Sequence, residues 1–264
     1  MNVEVAVIPA AGRGTRLRPA TRVVPKALVT VVDRPAIQYA VEEAARAGAT
    51  EAVIVVDLDA GQQVYNHFTV EGALPGLEQI HVRPVVQSVP RGLGHAVWEA
   101  RELVADRPFF CLLADNIVRP GGDVLGSLAD AAGDDDVSVV CVRHLSDEYL
   151  SRYGVVDLNG ANADGPVVEV AGAIEKPGPA DAPSRLGLIG RYLFTPDVFD
   201  LLEGARPGVD GEIQLTDAID RLGRAGRCRA WIATQDLLDV GTPQGLVEAT
   251  VELGGTLLSP EAGR

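Results

Sequence analysis

The segment Val5-Ala6-Val7-Ile8-Pro9-Ala10-Ala11-Gly12-Arg13-Gly14-Thr15-Arg16-Leu17-Arg18-Pro19-Ala20-Thr21-Arg22-Val23-Val24-Pro25-Lys26 joins an apolar run to a glycine-rich, cationic turn. Val3 to Ile8 has the length of a buried strand, and Gly12 and Gly14 then break it. Glycines after a buried strand let backbone N–H groups approach an anion, because no Cβ stands in the way. Arg13, Arg16, Arg18, Arg22 and Lys26 follow with no acid among them, a set able to neutralise a polyphosphate. A glycine pair alone would suit any strand-to-loop turn of an α/β fold. The cation cluster, in a chain of net charge −14, moves the reading to a phosphate site.

Two common phosphate loops do not fit. A dinucleotide fingerprint needs Gly-x-Gly-x-x-Gly and an acid about 20 residues on. Leu17 stands where the third glycine belongs, and Asp57, which closes the next strand candidate, lies too far along. The Gly-Lys-Ser/Thr of a Walker loop is absent.

Composition sets the outer bounds. The 264 residues suffice for a sizeable core, and 47% hydrophobic content indicates a folded chain. The acidic balance argues against nucleic acid or an anionic membrane as partner, since both need basic surfaces. No run reaches the roughly 18 apolar residues of a membrane helix, and no secretory signal is visible, so a cytoplasmic protein is expected. Cys111, Cys141 and Cys228 read as buried reduced thiols without metal spacing. Among 23 basic residues only Lys26 and Lys176 are lysine, which suits places that need a compact point charge.

Strand and helix candidates alternate, the pattern of a mostly parallel sheet with helices on both faces. Pro35 starts a helix with an apolar stripe at Ile37, Ala40, Val41, Ala44 and Ala45, and Gly48 ends it. Ala52–Val56 reads as a buried strand, and Ile80–Val86, interrupted by Pro84, as one near an edge. Gly92–Val104 reads as a helix with a glycine-rich start, in which His95 is a packed or capped residue. Phe109–Ala114 is the most hydrophobic strand, and Asp115 stands at its carboxyl end, where ligands of open α/β sheets bind. A carboxylate there is either a hard-oxygen ligand suited to Mg²⁺ or a loop cap. Val137–Val142 and Gly187–Phe194 are further strands; Tyr153–Asp157 and Val167–Ile174 read as an antiparallel pair flanking Asn159–Pro166. Pro196–Leu202, Gln214–Leu222 and Pro243–Leu253 read as helices, and Asp134-Asp135-Asp136 as a solvated loop.

Taken together, these residues resemble the sugar-1-phosphate nucleotidylyltransferases, whose signature is Ala-Ala-Gly-x-Gly-Thr-Arg followed by Pro-Lys. The match is nearest to the bacterial UTP–glucose-1-phosphate uridylyltransferases within that family. It rests on Pro19-Ala20-Thr21, Pro25-Lys26, Asp33-Arg34-Pro35-Ala36-Ile37-Gln38-Tyr39 and Gly92-Leu93-Gly94-His95-Ala96-Val97. Tyr153-Gly154-Val155-Val156, Glu175-Lys176-Pro177, Gly190-Arg191-Tyr192, the block from Glu212 to Ile219 and Asp239-Val240-Gly241-Thr242 continue it, in order, to about Val251.

The resemblance implies a Rossmann-like α/β nucleotidyltransferase fold in one domain over residues 1–264, with a mixed, mostly parallel sheet and a small antiparallel patch. It implies transfer of a nucleotidyl group from UTP to glucose 1-phosphate, giving UDP-glucose and pyrophosphate, by Mg²⁺-assisted in-line attack on the α-phosphate. Ala10, Ala11, Gly12, Gly14, Thr15, Gln87 and Gly92 would bind the nucleotide, and Gly154, Glu175, Lys176, Gly190 and Arg191 the sugar phosphate. Asp115 and Asp239 would hold the metal; Arg16, Lys26 and Lys176 would steady the leaving, transferring and attacking phosphates. A dTTP-dependent enzyme, another hexose phosphate, and a silent regulatory paralogue remain open alternatives. Relatives carry a longer charged helical insertion where this chain has only Thr69–Gln79, so a homo-oligomer is not carried over.

Overall fold

The central strands of this chain bury both faces, which is why their sequences are nearly continuous apolar runs. The computed structural model describes residues 1–70, 72, 74–119, 121–234 and 237–257. In chain order the strands are β1 (Val5–Pro9), β2 (Thr30–Val31), β3 (Arg34–Pro35), β4 (Glu51–Val56), β5 (His81–Val86), β6 (Phe109–Leu112) and β7 (Asn116–Ile117). There follow β8 (Ser138–His144), β9 (Gly154–Asp157), β10 (Val167–Glu169), β11 (Gly172–Glu175), β12 (Leu186–Phe194), β13 (Cys228–Ile232) and β14 (Leu238–Asp239). The helices are α1 (Ala36–Arg46), α2 (Gly61–Thr69), α3 (Leu93–Glu99), α4 (Arg101–Val104) and α5 (Val124–Ala132), then α6 (Asp147–Leu150), α7 (Val198–Leu202), α8 (Leu215–Arg224) and α9 (Pro243–Leu257).

The main sheet runs β10-β13-β8-β12-β6-β1-β4-β5. Strands β6, β1, β4 and β5 are mutually parallel, as are β8 and β13, while β12 runs antiparallel between the two groups. The small antiparallel patch is the β9–β11 pair, attached through β9 to β12. This is the mixed, mostly parallel sheet the sequence implies. β5 is at the edge, consistent with Pro84.

Side-chain alternation splits the core into two layers. Val5, Val7, Val53, Val55, Phe109 and Cys111 pack with α3, α7 and α8. Ala6, Ile8, Ala52, Ile54, Phe110 and Leu112 pack with α1, α2 and α5 on the other face. Each fully buried Ile, Val or Phe contributes about 1.5–3 kcal/mol relative to exposure, so the two layers dominate the stability of the sheet. All three cysteines are buried and free, and burial pushes the thiols of Cys111 and Cys141 up to about 12. They are inert at neutral pH. Among the described residues no helix is long and apolar enough to cross a membrane.

Three expectations change. The Val167–Ile174 strand divides: β10 pairs with β13, and β11 pairs with β9. The division falls beside Gly172, where α8 comes so near that a Cβ would lie 2.8 Å from Asp220 Oδ1. The helix expected over Gly92–Val104 is α3 followed by α4, separated at Ala100, whose N–H bonds to Val97 O at 3.1 Å. The Asp134–Asp136 run is exposed, but Asp135 pairs with Arg229 at 2.7 Å and Asp136 with Arg227 at 3.0 Å, tying the loop to β13.

Candidate active site

The loop after β1 folds back on itself at Gly14. Its φ of +58° is left-handed, and a Cβ there would lie 2.9 Å from both Lys26 Cβ and Thr21 Cγ2. Glycine therefore lets Lys26 come under the turn, and the Thr21 hydroxyl donates to Gly14 O at 2.7 Å to hold it. A Cβ on Gly12 would meet nothing within 4 Å, because that side of the loop is open.

What it opens onto is a cavity of about 660 Å³ lined by Ala10, Ala11, Gly12, Arg13, Gly14, Thr15, Arg16 and Lys26 on one side and by Gln87 and Gly92 on the other. Arg18 and Arg22 are exposed and do not line it. Gln87 is buried, and its amide donates to Gly92 O at 3.2 Å and to His95 Nδ1 at 2.9 Å. Gly92, at φ +103°, could not carry a side chain: a Cβ would lie 2.7 Å from Glu212 Cβ and 2.8 Å from Ile213 O.

A second cavity, about 670 Å³, adjoins the first and is lined by Gly154, Glu175, Gly190, Tyr192, Thr216 and Asp239 among others. Arg16, Leu93, Leu113 and Asp115 belong to both. Asp115 thus stands at the boundary of two chambers, each large enough for half of a nucleotide sugar.

At that boundary Asp115 and Asp239 converge. Lys26 Nζ donates to Asp115 Oδ2 at 2.5 Å. Gly241 has no Cβ, and the point one would occupy lies 2.6 Å from Asp115 Oδ2, 2.9 Å from Asp239 Oδ1 and 3.2 Å from Arg16 Nη2. The two acids are carried on a two-stranded ribbon, β7 against β14, in which Asn116 faces Asp239 and Val240 N–H donates to Asp115 O at 2.8 Å. Burial would raise the Asp115 pKa, but the charge and hydrogen bond of Lys26, with help from Arg16, hold it below the ordinary carboxylate value. Among the described residues no group of three or more His, Cys, Asp or Glu gathers. Two hard carboxylate oxygens facing one small space still match Mg²⁺, which commonly takes one or two protein carboxylates and completes its shell with water and substrate phosphate.

In the second cavity Glu175 accepts a 2.6 Å hydrogen bond from Thr216 Oγ1. Burial pushes the Glu175 pKa up, only partly offset by Thr216 and Lys176. Thr216 lies inside the block from Glu212 to Ile219, and its contact with Glu175 follows only from the packing of α8 against β11. Gly154 is glycine because a Cβ would lie 2.6 Å from Thr216 Oγ1. Gly190 likewise makes room, for Asn116 Nδ2 and Leu113.

Two expected residues sit elsewhere. Lys176 lines neither cavity; its ammonium bonds Asp210 Oδ2 at 2.8 Å and stands 4.0 Å from Glu175 Oε1, at the rim. Asp210 raises its pKa. Arg191, expected to bind sugar phosphate, is fully buried and points away from the cavity, into an ion pair with Glu43 at 2.8 Å. Alternation along β12 explains the correction: Tyr192 lines the cavity, so its neighbour faces the opposite side.

A glycine-rich, cationic loop after the first strand, two joined chambers and a carboxylate pair between them define a nucleotidyltransferase-type site. The chain belongs to the nucleotidyl transferase family, whose model matches residues 5–254. It is 39% identical to the UTP–glucose-1-phosphate uridylyltransferase 2 of Staphylococcus saprophyticus, over 95% of this chain and 91% of that one. It is 38% identical to the UTP–glucose-1-phosphate uridylyltransferase of Bacillus subtilis, over 95% and 90%. A solved structure of UDP-glucose pyrophosphorylase complexed with UDP-glucose superposes with a TM-score of 0.89 at 32% identity, covering 97% of this chain and 100% of that one. A UTP-bound UGPase from Acinetobacter baumannii gives 0.81 at 30%, covering 99% and 96%.

Proposed function

We propose that this chain transfers the uridylyl group of UTP to glucose 1-phosphate, releasing pyrophosphate and forming UDP-glucose. The observation that carries the reading is the boundary position of Asp115, Asp239, Lys26 and Arg16 between two chambers of nearly equal volume. The named activity of the uridylyltransferase relatives, which this chain matches along 95% of its length, supports the choice of substrates.

UTP enters the first chamber with its phosphates along Ala11, Gly12, Gly14 and Thr15, and its base toward Gln87 and Gly92. Glucose 1-phosphate enters the second, with hydroxyls toward Glu175 and its phosphate toward the boundary. An oxygen of the sugar phosphate attacks the α-phosphorus in line, the bond to the β,γ-unit breaks, and pyrophosphate departs. The phosphate monoester is already anionic near neutral pH, so no residue needs to remove a proton. Arg16 lies where charge grows on the leaving pyrophosphate, and Lys26 where the transferring phosphate passes. Lys176 reaches the attacking phosphate after leaving Asp210. Positioning and charge compensation of this kind supply most of the barrier reduction in phosphoryl-type transfer.

Asp115 and Asp239 would hold Mg²⁺; its chemistry there is to offset the charge of the phosphates as the reacting oxygens come together. Incubation with UTP, glucose 1-phosphate and Mg²⁺ followed by mass spectrometry tests the reading. UDP-glucose is the expected product; its absence with a folded, pure protein rejects it.

A further inference from the structure

The carboxylate pair is supported from behind by one buried guanidinium. Arg191 spends all five of its N–H donors inside the protein. Nε donates to both Glu43 oxygens at 3.0 Å. Nη1 donates to Leu113 O at 3.1 Å and Gly190 O at 3.0 Å. Nη2 donates to Glu43 Oε2 at 2.8 Å and to Asn116 O at 2.5 Å. Leu113 and Asn116 bracket the segment that carries Asp115. Asn116 is also the residue of β7 that faces Asp239 in the ribbon, and the adjoining Val240 N–H bonds Asp115 O. One side chain therefore joins α1, Gly190 of β12, where the register with β8 shifts, and the backbone on both sides of Asp115.

From this we infer that Arg191 is a positioning residue for the Asp115–Asp239 pair, fixing the separation at which the two carboxylates meet the phosphates and the metal. The inference rests on the proposed role of those acids. A buried ion pair need not add net stability, and an apolar set of equal volume often serves as well. What an apolar set or a lysine cannot do is grip three carbonyls and a carboxylate in one plane. The planar fork sets geometry, and geometry at this point decides rate: a displacement of about 1 Å can cost on the order of 10²-fold.

Arg191→Lys and Glu43→Gln separate positioning from stability. Arg191→Lys keeps a charge for Glu43 but loses the carbonyl grip; Glu43→Gln weakens the ion pair and leaves the carbonyls held. Each is compared with wild type in thermal unfolding, in kcat, in the Mg²⁺ concentration for half-maximal rate, and in amide hydrogen exchange of the metal-free protein at Asn116 and Val240. Both variants should unfold at lower temperature. Arg191→Lys alone should lower kcat by about 10- to 100-fold, raise half-saturating Mg²⁺, and speed exchange at Asn116 and Val240 relative to Tyr192. Glu43→Gln should keep wild-type Mg²⁺ dependence and exchange. A folded Arg191→Lys with wild-type Mg²⁺ saturation and wild-type exchange at Val240 overturns the inference while leaving the proposed reaction intact. If Arg191→Lys does not fold, exchange in the wild-type protein decides. Protection at Val240 equal to that at Tyr192 supports the clamp, and exchange at Val240 orders of magnitude faster contradicts it.

Discussion

Lys26 Nζ stands 2.5 Å from Asp115 Oδ2, and it does so beneath Gly14, where any side chain would collide with Lys26 Cβ. The lysine stem passes under the turn, and its compact ammonium touches a carboxylate that also faces Asp239. A guanidinium carries the same charge in a larger plane. Lys26→Arg should therefore fold normally and lose about 10²-fold in kcat. Steady-state kinetics with UTP varied provide the check, and wild-type turnover would mean that charge alone is needed there.

Asp115→Asn and Asp239→Asn should each remove most Mg²⁺-dependent turnover with little change in fold. Asp115 also makes a pH prediction. Its folded pKa lies below 3.8, so the stability from its carboxylate is fully present above pH 3.8 and is lost as pH falls through the lowered value. The gap in unfolding free energy between wild type and Asp115→Asn should be constant between about pH 5 and 7 and shrink below 3.8. Denaturant titration across that range measures it. A gap that widens on acidification would contradict the Lys26–Asp115 account.

His95 Nδ1 accepts a hydrogen bond from the Gln87 amide, and so must be unprotonated. Burial holds its pKa below 6.5, with Glu99 opposing and Arg91 assisting. Protonation at low pH removes the acceptor and frees Gln87 to turn away from the first chamber. KM for UTP should rise as pH falls below that lowered value, and His95→Phe should show a raised KM without that pH step. Initial rates at fixed saturating glucose 1-phosphate give the profile; a step that survives in His95→Phe would assign it to another group.

Lys176 is held at the rim by Asp210, both with left-handed backbone, at φ +47° and +58°. Under the proposed function the sugar phosphate competes with Asp210 for the ammonium. Asp210→Asn should lower KM for glucose 1-phosphate by roughly 3-fold, about the size of a partly exposed ion pair, and leave KM for UTP unchanged. Lys176→Arg should raise KM for glucose 1-phosphate. Equal effects on both substrates would place Lys176 outside the sugar-phosphate site.

How the sequence encodes this molecule differs from part to part. The parallel half of the sheet was readable because β1, β4 and β6 bury both faces and so are unbroken apolar runs. β13 was not, since Arg229 breaks its short apolar run and it is defined by parallel pairing with β8, some ninety residues earlier in the chain, as Cys228↔Ser138 and Ile232↔Val142 show. α5 was missed because Val124–Ala132 is short and its Asp123 cap looks like any loop acid; only in the fold does that carboxylate accept from Gly126 N–H. Around the candidate site, the turn after β1 was legible from its glycines, whereas charge spacing did not distinguish Arg13, Arg16 and Lys26, which line the cavity, from Arg18 and Arg22, which do not. Arg191 was misplaced because a motif block transfers residue types and not facing, although strand alternation beside Tyr192 carried the facing. The Asp210 partner of Lys176 and the Thr216 partner of Glu175 arise from loops and helices distant in sequence. No local pattern announces such contacts.

Pyrophosphate release tests the central claim most directly, followed with glucose 1-phosphate against UTP, dTTP, ATP, CTP and GTP, and with UTP against a panel of hexose 1-phosphates. One methyl group in a fitted pocket is worth roughly 1–3 kcal/mol, so UTP should exceed dTTP in kcat/KM by about 10-fold or more. The account predicts the highest kcat/KM for UTP with glucose 1-phosphate and no release without Mg²⁺. A higher value for another pair, or no release with any pair from a folded protein, would contradict it.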